Sequence, residues 1–177
     1  MHIHFQPILE NEKILLQPLK HSDFESLFAV AADPLIWEQH PNKNRYQKDA
    51  FQIYFEGAMQ SNGALLVADT ASGEIVGCSR FYEYKPEENS VFIGYTFIAR
   101  KFWGKGYNPA MKELMMTYAF QFVTTILFHI GATNFRSQIA IGRIGATKKR
   151  EVSVAYHGEP DRDNFEYELK KENWLKN

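Results

Sequence analysis

Residues 90–108, SVFIGYTFIARKFWGKGYN, hold the residue types and spacing best suited to chemistry in this chain. An aromatic and β-branched run over 91–98 predicts a strand, the pair Gly104 and Gly106 predicts a loop, and Asn108-Pro109 predicts the start of an amphipathic helix. Together these make an anion cradle. Glycine lets the backbone aim its amides at one point without a Cβ in the way, and the uncapped amides of a first helical turn carry partial positive charge. A phosphate-bearing cofactor is the ligand this pattern predicts, although a glycine loop before a helix also serves as a plain connection.

Spacing excludes two common phosphate loops. A Walker loop needs glycine-lysine followed by serine or threonine, and Gly106 is followed by Tyr107 and Asn108. The dinucleotide fingerprint would place its third glycine at Pro109, and no acidic residue stands about 20 positions further on. In the helix that follows, Met111, Leu114, Met115, Tyr118, Ala119 and Phe122 form one apolar stripe, which leaves Lys112 and Gln121 to face water. Asn108 is the expected cap and Pro109 the expected first helical residue.

The elements that must position this cradle are legible on both sides of it. Ile14–Pro18 reads as an opening strand, and Ser22-Asp23-Phe24-Glu25 reads as a capping box ahead of a helix carrying Phe24, Leu27, Phe28 and Ala31 on one side. Asp33-Pro34 stops that helix, and a second one is expected at Lys48–Gln60 after an irregular stretch. Ala64–Asp69 and residues 74–84 read as a hairpin. A short strand over 126–130, a helix capped by Asn134 that ends at Gly145, and strands over 152–156 and 165–169 flanking the polar loop GEPDRDN complete the chain. The order predicts an α/β (α+β) fold with a central mixed sheet, antiparallel pairs surrounding a parallel centre.

At 177 residues with 45% apolar content the chain suits a single well-filled domain spanning 1–177. A formal net charge of −1 argues against a nucleic-acid partner, and Lys148-Lys149-Arg150 reads as a solvated strand end or turn. The lone Cys78 cannot form an internal disulfide and reads as a small buried hydrophobe. No leader and no membrane-length apolar run is evident, so a cytoplasmic protein is expected, with no membrane partner.

Several separated pieces now combine. Leu16-Gln17-Pro18-Leu19, the run from Asp33 through Trp37 and His40 to Pro41, Ile93-Gly94-Tyr95-Thr96-Phe97, Trp103-Gly104-Lys105-Gly106-Tyr107-Asn108, Asn134-Phe135-Arg136-Ser137-Gln138 and Ile144-Gly145-Ala146 follow one another in order across nearly the whole chain. In that order and spacing the chain resembles the GNAT superfamily of acyl-CoA-dependent N-acetyltransferases, and within it the branch similar to the bacterial RimJ and RimL ribosomal-protein acetyltransferases. The resemblance implies that the fourth strand, Ser90–Ile98, splays from the fifth to open a V in the mostly antiparallel sheet. It implies acetyl-CoA as cosubstrate, no metal, and an amine acceptor, in a monomer or a homodimer. Backbone groups near Phe97, Ile98 and Arg100 would pair with the pantetheine arm, and amides from Trp103, Gly104, Lys105, Gly106, Tyr107 and Asn108 would hold the diphosphate. Lys101 stands where the family often has Arg or Gln, which keeps a charge and loses the fork.

Acetyl transfer needs a neutral amine, donors for the developing oxyanion and a proton for the departing thiolate. By resemblance, the amide near Phe97 would polarise the thioester, Asn134 would bind the arm or the sulfur region besides capping its helix, and Ser137 would be the general acid. Relatives often use a tyrosine later in that helix, where this chain has Ala140, Ile141 and Ile144. The glutamate that relatives often carry just before Ile-Gly-Tyr is Phe92 here, which leaves Glu83, His129 and His40 as candidate bases. Trp37, His40, Pro41 and Tyr46 are expected to shape the acceptor side, with Tyr95 and Arg80 reaching it if strand alternation allows. A lysine amine costs about 4.6 kcal/mol to deprotonate at pH 7 and an α-amine about 1.4, so a base-poor site favours a peptide or protein N-terminus over an unactivated lysine; an aminoglycoside, a polyamine or another small amine is the alternative.

Overall fold

Residues 64–68, Ala-Leu-Leu-Val-Ala, are buried without interruption, the mark of a strand covered on both faces. In the computed structural model, which describes residues 3–174, this strand sits inside one continuous eight-stranded sheet. The chain runs β1 (Leu9–Glu10), β2 (Ile14–Pro18), α1 (Phe24–Ala31), α2 (Lys48–Gln60), β3 (Ala64–Asp69), β4 (Ile75–Lys85), β5 (Ser90–Ile98) and α3 (Tyr107–Ala119). It continues through β6 (Thr125–Gly131), α4 (Phe135–Arg143), β7 (Thr147–Ala155), β8 (Asp161–Lys170) and α5 (Lys171–Trp174). The sheet order is β1-β2-β3-β4-β5-β6-β8-β7, antiparallel at every step except β5 with β6. The expected opening strand is therefore the second, and the expected fourth and fifth are β5 and β6. Residues 1, 2 and 175–177 of the expected 1–177 unit lie outside the described residues.

Strand alternation divides the core. Leu65 and Val67 of β3 join Ile14, Leu16, Phe81 and Met115 on the α3 face, while Leu66 and Ala64 join Leu27, Phe51 and Phe55 on the α1 and α2 face. Cys78 is fully buried in the second cluster, and desolvation raises its thiol pKa, so it is an inert packing residue. Residues 148–150 lie exposed on the outermost strand β7, where Lys149 and Arg150 pair with Glu166. Lysines on such an edge discourage pairing with a second sheet.

Four expectations need correction. The Ser22 and Glu25 capping box does not form: a 3-10 turn over His21–Asp23 precedes α1, and it is the Asp23 carboxylate that accepts from the Lys20 amide at 2.8 Å. Asn108 does not cap α3, because Gly106 takes a left-handed φ of +81° and its carbonyl already accepts from the Ala110 amide at 3.1 Å. This starts the helix at Tyr107 and puts Pro109 at its third position. Asp161–Asn164 belongs to β8 and not to the loop. Finally, Lys112 does not face water: it is 6% exposed, although Gln121 is solvated as expected.

The segment between α1 and α2 is fastened to the β7–β8 turn by a buried charge. Arg45 is 1% exposed, donates to the Glu159 carboxylate through Nε and Nη2 at 3.2 and 2.9 Å, and lies 5.0 Å from the Tyr54 ring and 5.4 Å from the Tyr156 ring. Removing one partner of such a pair strands the other without solvent. Arg45→Met should cost about 3–5 kcal/mol in urea unfolding, and Arg45→Met with Glu159→Met should recover most of it.

Candidate active site

β5 and β6 pair over three positions, Ser90 with Thr125, Val91 with Ile126 and Phe92 with Leu127, and then part, although they continue to Ile98 and Gly131. β5 is also bulged against β4: Cys78 faces Phe97 and Arg80 faces Gly94, which leaves Tyr95 and Thr96 opposite Ser79 alone. Tyr95 sits at a φ of +53°, a conformation that costs a residue with a side chain about 1–2 kcal/mol. Its carbonyl accepts from the Tyr54 hydroxyl at 2.7 Å and its ring covers the Arg80 guanidinium at 3.8 Å, and these contacts hold it there. The expected splay is therefore present, and it opens a cleft of about 760 Å³.

At one end of the cleft lies the glycine loop. Gly104 and Gly106 have φ of +70° and +81°. The amides of Gly104, Gly106, Tyr107 and Asn108 find no acceptor among the described residues, whereas Trp103 donates to the Arg100 carbonyl and Lys105 to that of Phe102. Four free amides beside a helix start form the cradle that the residue types predicted. Lys13, which the sequence reading missed, adds a cation: its Nζ donates to the Lys105 carbonyl at 2.9 Å and lies 5.0 Å from the Tyr107 ring. Only the fold brings the β1–β2 turn to this loop.

Trp103, Gly104, Gly106, Tyr107 and Asn108 line the cleft, as do Phe97 and Ile98, but Lys105 does not. Trp103 donates its indole N–H to the Ile98 carbonyl at 2.8 Å, which uses one lone pair of that exposed edge. Arg100 and Lys101 turn away from the cleft and pair with Asp33 and Glu74. The charge expected from Lys101 is thus spent outside.

Asn134 and Ser137 line the cleft from the start of α4, where the Asn134 Oδ1 accepts from the Ser137 amide at 3.2 Å, the predicted cap. At the other end stand Trp37, His40, Tyr82, Tyr95 and Tyr156. Trp37 is 2% exposed and packs 5.1 Å from Phe97, so much of it is core, and Tyr46 and Arg80 are outside the lining. Burial, reinforced by Arg45, holds His40 neutral, and both its nitrogens are engaged, Nε2 by Arg45 at 3.2 Å and Nδ1 at Asn42. It has no lone pair to offer a substrate. Glu83 is exposed and outside the lining.

His129 differs. It lines the cleft against Phe92, ring centroids 4.4 Å apart, with Nδ1 3.5 Å from the Tyr82 hydroxyl and Nε2 3.4 Å from the Glu166 carboxylate. Desolvation lowers its pKa, opposed in part by Glu166 and Glu83, so the imidazole is neutral near pH 7. Lys112 enters from α3: its Nζ donates to the Thr96 hydroxyl at 3.0 Å and lies 5.6 Å from the Phe128 ring, and burial pushes it down to about 7. No aspartate or glutamate lines the cleft among the described residues, and its cations are Lys112, Arg136 and Arg143.

A family model described as an acetyltransferase (GNAT) domain matches residues 13–147. Among solved structures, the fold is similar to a GCN5-related N-acetyltransferase from Brucella melitensis (TM-score 0.81, 18% identity, 96% of this chain and 81% of that one). It is similar to Mycobacterium smegmatis RimJ in complex with CoA-disulfide (0.76, 14%, 97% and 91%). It is also similar to spermidine N-acetyltransferase from Vibrio cholerae in complex with CoA and spermine (0.70, 15%, 93% and 99%).

One contact closes the far wall. A Cβ built on Gly131 would lie 2.5 Å from the Pro41 ring, so β6 and the 33–41 segment meet only because residue 131 has no side chain. Gly131→Ala should displace that segment, lower stability by about 1–3 kcal/mol and change the emission of the neighbouring Trp37; unchanged emission and stability would show that the segment yields freely.

Proposed function

Because the chain belongs to the GNAT acetyltransferase family and is an acetyl-CoA-dependent N-acetyltransferase, we propose that its acceptor is an amine of low basicity, the α-amino group of a peptide or protein N-terminus. The observation that carries this is the absence of any carboxylate from the described lining, which leaves neutral His129 as the available base. A polyamine would bring several ammonium groups into a cleft whose own charges are positive. An α-amine brings one, and gives up its proton for about 1.4 kcal/mol at pH 7. The order of motifs resembling the RimJ and RimL branch supports the same acceptor class, and a cytoplasmic setting belongs to the proposal.

Each requirement of the reaction has a candidate group. The four free amides of the glycine loop, with Lys13 beside them, suit the diphosphate, and the unpaired edge of β5 beyond Phe92 suits a pantetheine arm laid along it as an added strand. An amide of β5 near Phe97 polarises the thioester carbonyl, and Asn134 holds the arm. Ser137 offers a hydroxyl to the sulfur. His129 accepts the proton of the attacking amine at Nδ1, directly or through the Tyr82 hydroxyl 3.5 Å away, while Glu166 orients the ring at Nε2, and Trp37, His40 and Tyr95 shape the acceptor wall.

Thiol release from acetyl-CoA should be fastest with N-terminal peptides and slow with spermidine or with peptides whose α-amine is blocked. His129→Gln should lower kcat/KM by about 10²-fold or more. In the wild type, kcat/KM should fall as pH drops through the lowered His129 pKa, below 6.5, because the imidazole then carries a proton and cannot accept another. A polyamine preference, or a His129→Gln enzyme with full rate and an unchanged acid limb, would remove this reading. A small neutral-skeleton amine as best acceptor would keep the base and replace the substrate.

A further inference from the structure

We propose that Lys112 is a catalytic residue of the transfer, the donor of the proton that the coenzyme's sulfur takes up as it leaves. The proposal rests on the acetyl-transfer reading above and assigns a group that neither the family motifs nor the sequence pattern marked. Lys112 stands on α3 with its Nζ between the two diverging strands, bonded to the Thr96 hydroxyl at 3.0 Å. Thr96 immediately precedes Phe97, near which the amide assigned to the thioester carbonyl lies, so the ammonium stands beside the reacting end of the cleft, about one helical turn beyond the diphosphate loop.

Its surroundings explain why it needs an anion. From β5 it meets the Thr96 hydroxyl, behind which the Ser79 hydroxyl of β4 lies 2.8 Å from the Thr96 oxygen, and from β6 it meets the Phe128 ring. Burial is the sole cause of its lowered pKa, with no acidic group acting on it. An ammonium has three N–H donors, and two of these have no partner among the described residues. A buried charge left this bare is costly unless a counter-charge arrives. The thiolate that forms when the thioester breaks is such a charge.

The bookkeeping of the step closes. The amine nitrogen bonds to the thioester carbonyl carbon, and the C–S bond breaks with its electron pair on sulfur. Lys112 passes one proton to that sulfur, giving the free thiol. His129 takes the proton lost by the amine, and both groups re-equilibrate with solvent once product departs. A thiol has a pKa near 8.5, so an ammonium poised at about 7 favours transfer to sulfur by about thirty-fold. The Ser137 hydroxyl can hydrogen-bond the same sulfur, but an alkoxide is a stronger base than the thiolate it would serve.

Lys112→Met and Lys112→Arg test the assignment, with CoA affinity measured by calorimetry and thiol release followed with the best acceptor. Both should lower kcat by about 10²-fold or more while the dissociation constant for CoA changes less than about three-fold. In the wild type kcat/KM should fall as pH rises through about 7, since the donor is then empty, and this limb should be missing from both variants. Arginine keeps the charge and cannot release its proton, so a Lys112→Arg enzyme with near-wild-type turnover would overturn proton donation, as would an unchanged alkaline limb. Should neither variant fold, the Nζ of the wild-type protein can be titrated by ¹⁵N NMR: a midpoint near 7 supports the assignment and one near 10 ends it. If no amine supports turnover by the wild type, it is the acceptor reading that fails, while the titration still judges Lys112.

Discussion

Everything that can happen in this molecule depends on two parallel strands that stop pairing. A sheet gains by satisfying every amide and carbonyl, so a central strand with an open edge is held open only by other contacts. Here the hold comes from the bulge at Tyr95 and Thr96, which re-aims β5, and from groups that grip the bulge from three sides: the Tyr54 hydroxyl on the Tyr95 carbonyl, the Arg80 guanidinium under the Tyr95 ring, and Lys112 on Thr96. The open edge is then a permanent feature, available to a ligand that presents the pattern of a missing strand.

Holding that edge open brings charge into the interior. Arg45, Arg80 and Lys112 are each at most 6% exposed, and they differ in what answers them. Arg45 has Glu159 and three aromatic rings; Arg80 has the faces of Tyr54 and Tyr95, with its Nε unpartnered; Lys112 has one hydroxyl. The two guanidiniums cannot shed a proton and so act as fixed struts. The amine can, which is why the least-satisfied of the three is the one whose protonation can change near neutral pH.

Most of the fold was legible because it follows from local rules. α2, β3 and β5 fall within a residue of their expected bounds, since a run such as SVFIGYTFI or a stripe at steps of three and four fixes element type with little outside help. What could not be read was where a chemically ambiguous residue points. Lys112 lies off the apolar stripe of α3, and a helical wheel assigns it to water; it is buried because α3 lies beneath the place where the sheet opens, a fact that belongs to β5 and β6. Asn108 lost its cap to Gly106 for a similar reason, a left-handed turn being one of two conformations that a glycine allows. Lys13 joins the anion loop across 92 residues of sequence, and no spacing rule reaches that far.

The vacancy at position 92 shows how the two ends of the site are related. A phenyl ring there packs against the His129 imidazole, so Phe92 both withholds a carboxylate and dries the group that stands in its stead. Lys112 is desolvated separately, on the α3 face of the sheet beside Thr96 and Phe128. Desolvation lowers the pKa of any group that is charged when protonated, so burial on either side of the sheet keeps the imidazole deprotonated and makes the ammonium ready to lose its proton. The buried Glu166 carboxylate beside His129 opposes part of that lowering at the imidazole, and no acidic group acts on the lysine. A cleft lining without carboxylates is therefore more than one lacking the usual base: desolvation, opposed only in part by Glu166 at His129, sets both proton affinities in the directions that attack by an amine and departure of a thiolate require.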